Sequence, residues 1–181
     1  MNKQIRKIVL CAFFAAMTCV ATMAIRIPLP LTGYANLGDA IVLLSAFMLG
    51  PFFGALASGL GAVFADIYSG YAIYAPATFI IKALVAYVTA HLFRFFSKKT
   101  KNTLSPLFLS GFFGEVLMVA GYFAYEFFIL SLGFAAAATV PGNIFQAIAG
   151  ISSSSFLYFF LIRSKYINRL LKKIDDLKDG K

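Results

Sequence analysis

The amino-acid sequence predicts an all-α membrane protein, a bundle of six transmembrane helices with both termini in the cytoplasm. Composition gives the class: of the 181 residues, 61% are hydrophobic, only 13% are charged and 21 are Phe. Soluble domains carry about 25% charged residues, so this chain has too little polar surface to fold in water. At about 20 residues per span plus short loops, the length accommodates about six spans in a single integral membrane domain, residues 1–181.

Apolar runs separated by helix-breaking residues place the six spans in order. The first run stops before Arg26-Ile-Pro-Leu-Pro, where two prolines remove backbone donors and break helical geometry. The second run is only about 13 residues long, too short for a full crossing unless it is tilted or enclosed by other helices. The predicted helices cover residues 5–25, 37–49, 52–69, 75–96, 104–132 and 140–162.

The positions of Lys and Arg predict the orientation. Three of the 16 precede the first span, four lie between the fourth and fifth, and seven follow the sixth, leaving only Arg26 and Lys82 elsewhere. Because loops rich in Lys and Arg stay in the cytoplasm, both termini are expected there. Residues 165–181 are expected to form a basic cytoplasmic tail at the inner membrane surface. This distribution explains the net charge of +9 without nucleic-acid binding.

Ionisable side chains interrupt the predicted spans. A charge in hydrocarbon costs at least ~2.5 kcal/mol, so such residues tend to face a cavity and mark a substrate or ion site. Most of them fall toward the outer face on the predicted topology, as do two amides in the sixth helix, and an outward pocket is therefore expected. The residues are Asp39, Asp66, Lys82, Glu115 and Glu126, with Asn143 and Gln146.

Helical periodicity favours convergence of these residues. Glu115, Tyr122 and Glu126 lie within about 20° of one line on the fifth helix at 100° per residue. A simpler interpretation is that Lys82 pairs with Asp66 or Glu126 only to neutralise the charge and hold helices together. The carboxylates outnumber the single lysine, however, and this excess favours a small polar ligand rich in hydrogen-bonding groups.

Aromatic and small residues add two further candidate surfaces. Tyr71 and Tyr74 in the second outer loop, with Tyr34 in the first, are typical of an interfacial aromatic belt or of rings that stack on a flat heteroaromatic ligand. On the first helix, Ala12 and Ala16 form a small face at which a partner helix could dock or another helix of the bundle could pack.

Catalytic and nucleotide motifs are missing from the sequence. It contains no Gly-x-x-x-x-Gly-Lys-Ser/Thr phosphate loop, so no ATPase activity is expected. His91 is the single histidine and lies among Arg94 and Lys98, away from the expected pocket, so neither a metal site nor a Ser-His dyad is supported. We expect no enzymatic activity and no cofactor.

Several segments resemble the S components of energy-coupling factor (ECF) vitamin transporters, in the branch associated with hydroxymethylpyrimidine and pyridoxine and often labelled riboflavin-type. They are Tyr34-Ala-Asn-Leu-Gly-Asp39, Leu-Gly50-Pro-Phe-Phe-Gly54-Ala, the stretch from Asp66 to Lys82, and Val140-Pro-Gly-Asn143. The resemblance covers about residues 5–165. It implies a six-helix bundle with an outer pocket closed by the first and third outer loops.

The same resemblance implies a function. The chain would capture a water-soluble vitamin outside a bacterial cell and join a transmembrane coupling (T) subunit and two ATPase subunits in the lipid bilayer. Ala12 and Ala16 match the Ala-x-x-x-Ala motif with which such S components dock to the coupling subunit. The candidate substrate-binding residues are Tyr34, Asn36, Asp39, Asp66, Tyr71, Tyr74, Lys82, Glu115, Tyr122, Glu126, Asn143 and Gln146.

Three alternatives stay open at this stage. The chain could be an S component for another vitamin, such as riboflavin. It could be an autonomous channel or secondary transporter, which inverted repeats would favour, although we find none in the sequence. It could also be an intramembrane enzyme, which would need a nucleophile and a base at one depth.

Overall fold

A computed structural model describes residues 3–100 and 102–164, and the helices dominate it. Their bounds are α1 (Lys3–Ala24), α2 (Gly38–Leu49), α3 (Pro51–Tyr68), α4 (Ala75–Ser97), α5 (Leu104–Ala124) and α6 (Val140–Arg163). Each agrees with the predicted run to within a few residues except at the end of α5. The predicted basic tail, residues 165–181, lies outside the described residues.

Five of the described helices are long and apolar enough to cross a membrane. The exception is α2, whose 12 residues rise only about 18 Å. Every residue of α2 except Met48 is buried, and the helix packs against α1, α3, α4 and α6. Of the two explanations offered for its short length, tilt or enclosure by other helices, the structure bears out enclosure, and α2 forms the centre of the bundle.

The main core is built around α2. Val42, Leu43 and Phe47 of α2 pack with Val85 of α4 and Met118 of α5, and all five side chains are at most 4% exposed. These large aliphatic and aromatic groups exclude water from the centre of the bundle. The buried carboxylates, by contrast, lie outside this apolar cluster.

A loop was expected between α1 and α2, but the structure has a β-hairpin there. Strand β1 (Arg26–Pro28) pairs antiparallel with β2 (Tyr34–Asn36), with Ile27 opposite Ala35. The tip of the hairpin contains Gly33 in the left-handed region (φ 79°), a conformation that glycine adopts at little cost. The fold is therefore mostly helical rather than purely helical.

The fifth helix also ends differently from the prediction. The α-helical part stops at Ala124, continues as a π-helical turn over Tyr125–Ile129, and gives way to a 3-10 helix over Gly133–Ala138. Ser131 takes a left-handed conformation (φ 57°) that breaks the helix before residue 132. The π turn is wider than an α turn, and it carries Glu126, so it changes the direction of that side chain.

Small residues bring α3 close to its neighbours. Gly54 of α3 lies against the α2 backbone, where an added Cβ would be 3.1 Å from the Cα of Ala46. Gly61 lies against α1, where an added Cβ would overlap the carbonyl oxygen of Ala15 and the side chain of Thr18. The close contact between α1 and α3 therefore requires glycine, which has no side chain, at position 61.

Gly61→Val should destabilise the protein, because the branched side chain would force α1 and α3 apart. We expect a loss of about 1–3 kcal/mol in the free energy of unfolding, measured in detergent micelles. Gly111→Ala is the control, since a Cβ there makes ordinary contact at 3.4 Å with Ile151. Equal stability of the two variants would contradict the close α1–α3 packing.

Candidate functional site

A small pocket lies where the hairpin covers the ends of α3, α4, α5 and α6. Its volume is about 30 Å³, close to the space of one water molecule. Nine of the twelve candidate substrate-binding residues line it, together with Leu29, Gly33 and Thr78. The nine are Tyr34, Asn36, Asp66, Tyr71, Tyr74, Tyr122, Glu126, Asn143 and Gln146.

An ion pair lies outside the pocket lining. Lys82 of α4 donates to Oδ1 of Asp39 on α2 at 2.5 Å, and both side chains are buried. The prediction that Lys82 pairs with Asp66 or Glu126 is wrong. The reason is the central position of α2, which places the first turn of that helix beside the middle of α4. Removing either partner would leave a buried charge unpaired.

A hydrogen-bonded chain connects this ion pair to the pocket. The side-chain amide of Gln146 donates to the second oxygen of Asp39 at 2.5 Å. Its carbonyl oxygen accepts from the backbone N–H of Asn36 at 2.7 Å. Both oxygens of Asp39 are therefore occupied, and the chain links α4, α2, α6 and strand β2. Asp39 and Lys82 thus support the pocket from outside its lining.

Glu115 does not reach the pocket either. It is 1% exposed and interacts electrostatically with Asp39 and Lys82. Neither carboxyl oxygen has a hydrogen-bond partner among the described residues. Glu115 also lines an apolar groove between α5 and α6. Glu115 shares a helical line with Tyr122 and Glu126, but it lies about 10 Å from Tyr122 along the helix, which places it outside the lining.

Asp66 and Asn143 each present one polar atom without a partner. Oδ1 of Asp66 accepts a hydrogen bond from the hydroxyl of Tyr34 at 2.8 Å, and the Thr78 hydroxyl interacts with the same carboxylate, but Oδ2 is buried and no hydrogen bond to it with good geometry is made by the described residues. The amide nitrogen of Asn143 is likewise buried and unpartnered there. Both side chains line the pocket. An unmade hydrogen bond at a buried group is costly, so this pair can accept and donate one bond to a ligand.

Glu126 differs from Asp66 because the chain satisfies both of its oxygens. Thr139 donates to Oε2 at 2.6 Å, and the hydroxyl of Tyr74 lies 3.1 Å from Oε1. The same hydroxyl is 3.1 Å from Oγ1 of Thr32 in the hairpin. Glu126 therefore holds the hairpin, the start of α4 and the segment before α6 together.

Tyrosine rings form one wall of the pocket. The rings of Tyr34 and Tyr71 are 4.7 Å apart between centroids, and Tyr74 is only 4% exposed. Burial and the neighbouring Asp66 carboxylate both raise the pKa of Tyr34, so its hydroxyl keeps its proton and donates. Tyr68, by contrast, is 72% exposed and points away from the pocket, as expected of a residue in an aromatic belt.

Sequence reasoning missed several contributors. Thr78 lies one helical turn from both Tyr74 and Lys82, so helical spacing alone could have placed it on the pocket face. Its hydroxyl accepts from Tyr122 at 3.1 Å. Gly33 packs against the Tyr74 ring, where an added Cβ would be 3.5 Å from the phenolic oxygen. Leu29, Gly33 and Thr32 reach the site only through the hairpin, for which the sequence carried no strong signal.

Ala12 and Ala16 lie far from the pocket on α1. Both are exposed, while Phe14 and Thr18, which point the other way, are buried. Contact with α3 is made through Ala15 and Thr18. The Ala12/Ala16 face is therefore not used for packing within the described part of the chain.

Comparisons with known proteins assign the family. The profile of the ECF-type riboflavin transporter S component matches residues 2–161. The chain belongs to this family. It is therefore a substrate-binding S component of the ECF vitamin transporters, and this family is a transport component rather than an enzyme.

Individual proteins are also similar to this chain. A Pyrococcus woesei protein described as an uncharacterized protein in the gap 3′ region is 34% identical over 143 residues, which cover 78% of this chain and 92% of the relative. The structure of the S component of a bacterial ECF transporter aligns with a TM-score of 0.64 at 19% identity, covering 92% of this chain and 98% of that one. The S component for biotin from an ECF-type ABC transporter aligns with a TM-score of 0.59 at 17% identity, covering 87% and 93%. Both structural alignments show the shared fold.

The ion pair should be detectable by a double-mutant cycle. Lys82→Met leaves the buried Asp39 without a counter-charge and should cost about 3–5 kcal/mol in the free energy of unfolding. Asp39→Asn should be similarly harmful, while the double variant should cost clearly less than the sum of the two. Lys98→Met, at an exposed position, is the control. Additive single effects would contradict the pairing.

Proposed function

We propose that this S component captures a small, flat vitamin of the hydroxymethylpyrimidine or pyridoxine type at the outer face of the cell membrane. The observation that carries the proposal is the unpartnered pair formed by Asp66 Oδ2 and Asn143 Nδ2 beside the tyrosine wall. A pyrimidine or pyridine ring with amino or hydroxymethyl groups offers a donor for the carboxylate and an acceptor for the amide. Its flat face suits stacking on Tyr34 or Tyr71.

The charge of the lining supports a neutral or cationic ligand. Asp66 and Glu126 line the pocket, and none of its described lining residues is Lys, Arg or His. The Lys82 ammonium lies outside the lining and is already paired with Asp39. A phosphate or carboxylate on the ligand would meet like charge with no cation to offset it, so we propose that anionic vitamins are rejected.

The pocket must enlarge to hold such a ligand. A volume of about 30 Å³ admits roughly one water, while small-molecule sites span about 300–1,000 Å³. The hairpin contributes Leu29, Gly33, Tyr34 and Asn36 to the lining, and it is tied down through the Tyr34–Asp66 and Tyr74–Thr32 contacts and, at its base, through the Asn36–Gln146 hydrogen bond. We propose that the hairpin is the moving cover, and that ligand donors replace the Tyr34 hydroxyl on Asp66.

The orientation and the partners belong to the same proposal. With both termini cytoplasmic and α2 completing six helices across the membrane, the pocket faces outward. The exposed Ala12/Ala16 face then lies in the cytoplasmic half of α1, where a coupling subunit that works with two ATPases would dock.

A riboflavin site is the second candidate, because the matching family profile carries that name. Riboflavin is neutral, so charge does not exclude it. Its three-ring system would demand a larger opening of the hairpin than a single ring does. Competition between riboflavin and the single-ring vitamins for the purified chain separates the two candidates.

Ligand binding tests the proposed pocket. Asn143→Ala and Asp66→Asn should each weaken binding of hydroxymethylpyrimidine or pyridoxine by about 1–3 kcal/mol, because a buried hydrogen bond is lost. Isothermal titration calorimetry of the purified full chain measures the effect, with biotin as an anionic ligand expected not to bind. Tyr68→Ala, at an exposed position two residues after Asp66 in α3, is the control. Unchanged affinity in both pocket variants would show that the pocket is misplaced.

Docking can be separated from ligand capture on α1. Ala12→Trp or Ala16→Trp should leave ligand affinity intact while abolishing vitamin uptake and co-purification with the coupling subunit, because the bulky ring prevents close helix approach. Val20→Trp, at an exposed site of α1 nearer the pocket end, is the control and should assemble normally. If the double variant Ala12→Trp/Ala16→Trp is folded and still assembles with the coupling subunit and transports, the proposed docking face is refuted.

A further inference from the structure

Leu29 is the single aliphatic side chain among the described residues that line the pocket. Ten of the other eleven carry a hydroxyl, amide or carboxyl group, and Gly33 has no side chain. The tyrosine rings can stack on the flat face of a ligand, whereas the side chain of Leu29 can neither donate nor accept a hydrogen bond. The part of the ligand that lies against Leu29 must therefore be apolar to avoid losing its hydrogen bonds to water.

The hairpin directs Leu29 toward the pocket. Pro28 and Pro30 on either side of it are exposed, whereas Leu29 itself is partly buried. The N–H of Leu29 donates to the carbonyl oxygen of Gly33 at 3.1 Å, so a backbone hydrogen bond closes the tip of the hairpin at this residue. The side chain of Leu29 consequently has a defined place on the pocket side of the hairpin.

Gly142 provides the surface on which Leu29 lies. This glycine is in the first turn of α6, and a Cβ built on it would overlap the Cδ2 methyl group of Leu29. A side chain at position 142 would therefore displace that methyl group. Asn143, the next residue, is buried and lines the same pocket, and its amide nitrogen has no acceptor among the described residues. An aliphatic group and an available donor are thus neighbours at the start of α6.

We propose that the ligand carries a methyl group next to the ring nitrogen that accepts from Asn143, and that Leu29 contacts this methyl group. The inference rests on the proposed function and narrows its substrate class to heteroaromatic rings with a methyl group on the carbon beside a ring nitrogen. The lone pair of such a nitrogen and the bond to the methyl group both lie in the ring plane, so they point to neighbouring positions on the pocket wall. A hydrogen atom in place of the methyl group would leave a gap and lose van der Waals contacts with Leu29.

Pairs of ligands that differ by one methyl group test the proposal. Hydroxymethylpyrimidine and pyridoxine each have a methyl group beside a ring nitrogen, and each is compared with an analogue in which hydrogen replaces that methyl group. Calorimetric titration of the purified full chain gives the affinities. The vitamin that binds more tightly should exceed its own analogue by about tenfold in affinity, because one methyl group in a fitted apolar pocket changes binding by at least that factor.

Substitutions assign this preference to Leu29. Leu29→Ala should reduce the ratio of the two affinities to about twofold or less, because the methyl group then meets a gap. Leu29→Ile keeps the aliphatic volume and should retain the ratio. Gly142→Ala should also lower the ratio, since its Cβ displaces the leucine methyl group. Leu31→Ala is the control in the same hairpin, at a residue that is 65% exposed, and should leave both affinities unchanged.

The contradicting outcomes separate this inference from the proposed function. Equal affinity of the unaltered chain for a vitamin and its analogue would overturn the inference alone. A ratio that stays unchanged in Leu29→Ala would also overturn it, because Leu29 would then serve only to pack the hairpin. If the unaltered chain binds neither hydroxymethylpyrimidine nor pyridoxine, the proposed function itself is overturned. Far-ultraviolet circular dichroism of every variant verifies that its helices are folded.

Discussion

The pairing of Lys82 with Asp39 is the interaction on which the rest of the site depends. A charge inside a membrane bundle is strongly unfavourable without a counter-charge, so the two residues must stay in contact. That contact joins the centre of α4 to the start of α2, and Gln146 extends it to α6 and strand β2. Four elements are held in register by these polar contacts. The pocket lies on the hairpin side of these contacts.

The two carboxylates that line the pocket differ in how many of their oxygens accept hydrogen bonds. Glu126 is fully satisfied by Tyr74 and Thr139, whereas Asp66 is satisfied on one oxygen only. The first therefore acts as a structural clamp on the hairpin, and the second keeps an acceptor for an incoming molecule. The hydroxyl of Tyr34 occupies the other oxygen of Asp66. Closing the pocket on its own side chains limits the number of buried polar atoms left without partners.

Much of the fold could be predicted from the sequence, because composition, helix breakers and basic loops are local or additive signals. Helix bounds and the burial of α2 followed from them. The partner of Lys82 could not be predicted, because depth along separate helices does not say which helices are neighbours. Asp66 and Glu126 lie at depths that would allow contact with Lys82. However, α2 occupies the centre of the bundle and places Asp39 beside Lys82 instead. The hairpin was missed because three-residue strands beside prolines carry almost no periodicity.

Identification of the small molecule that co-purifies with the chain tests the central claim most directly. Protein extracted in mild detergent is denatured, and the released compound is measured by mass spectrometry, in parallel with an Asp66→Asn/Asn143→Ala variant. The account predicts a near-stoichiometric, neutral or cationic heteroaromatic compound from the unaltered chain and its loss from the variant. A phosphorylated or carboxylate-bearing compound, or the same compound retained equally by the variant, would contradict it.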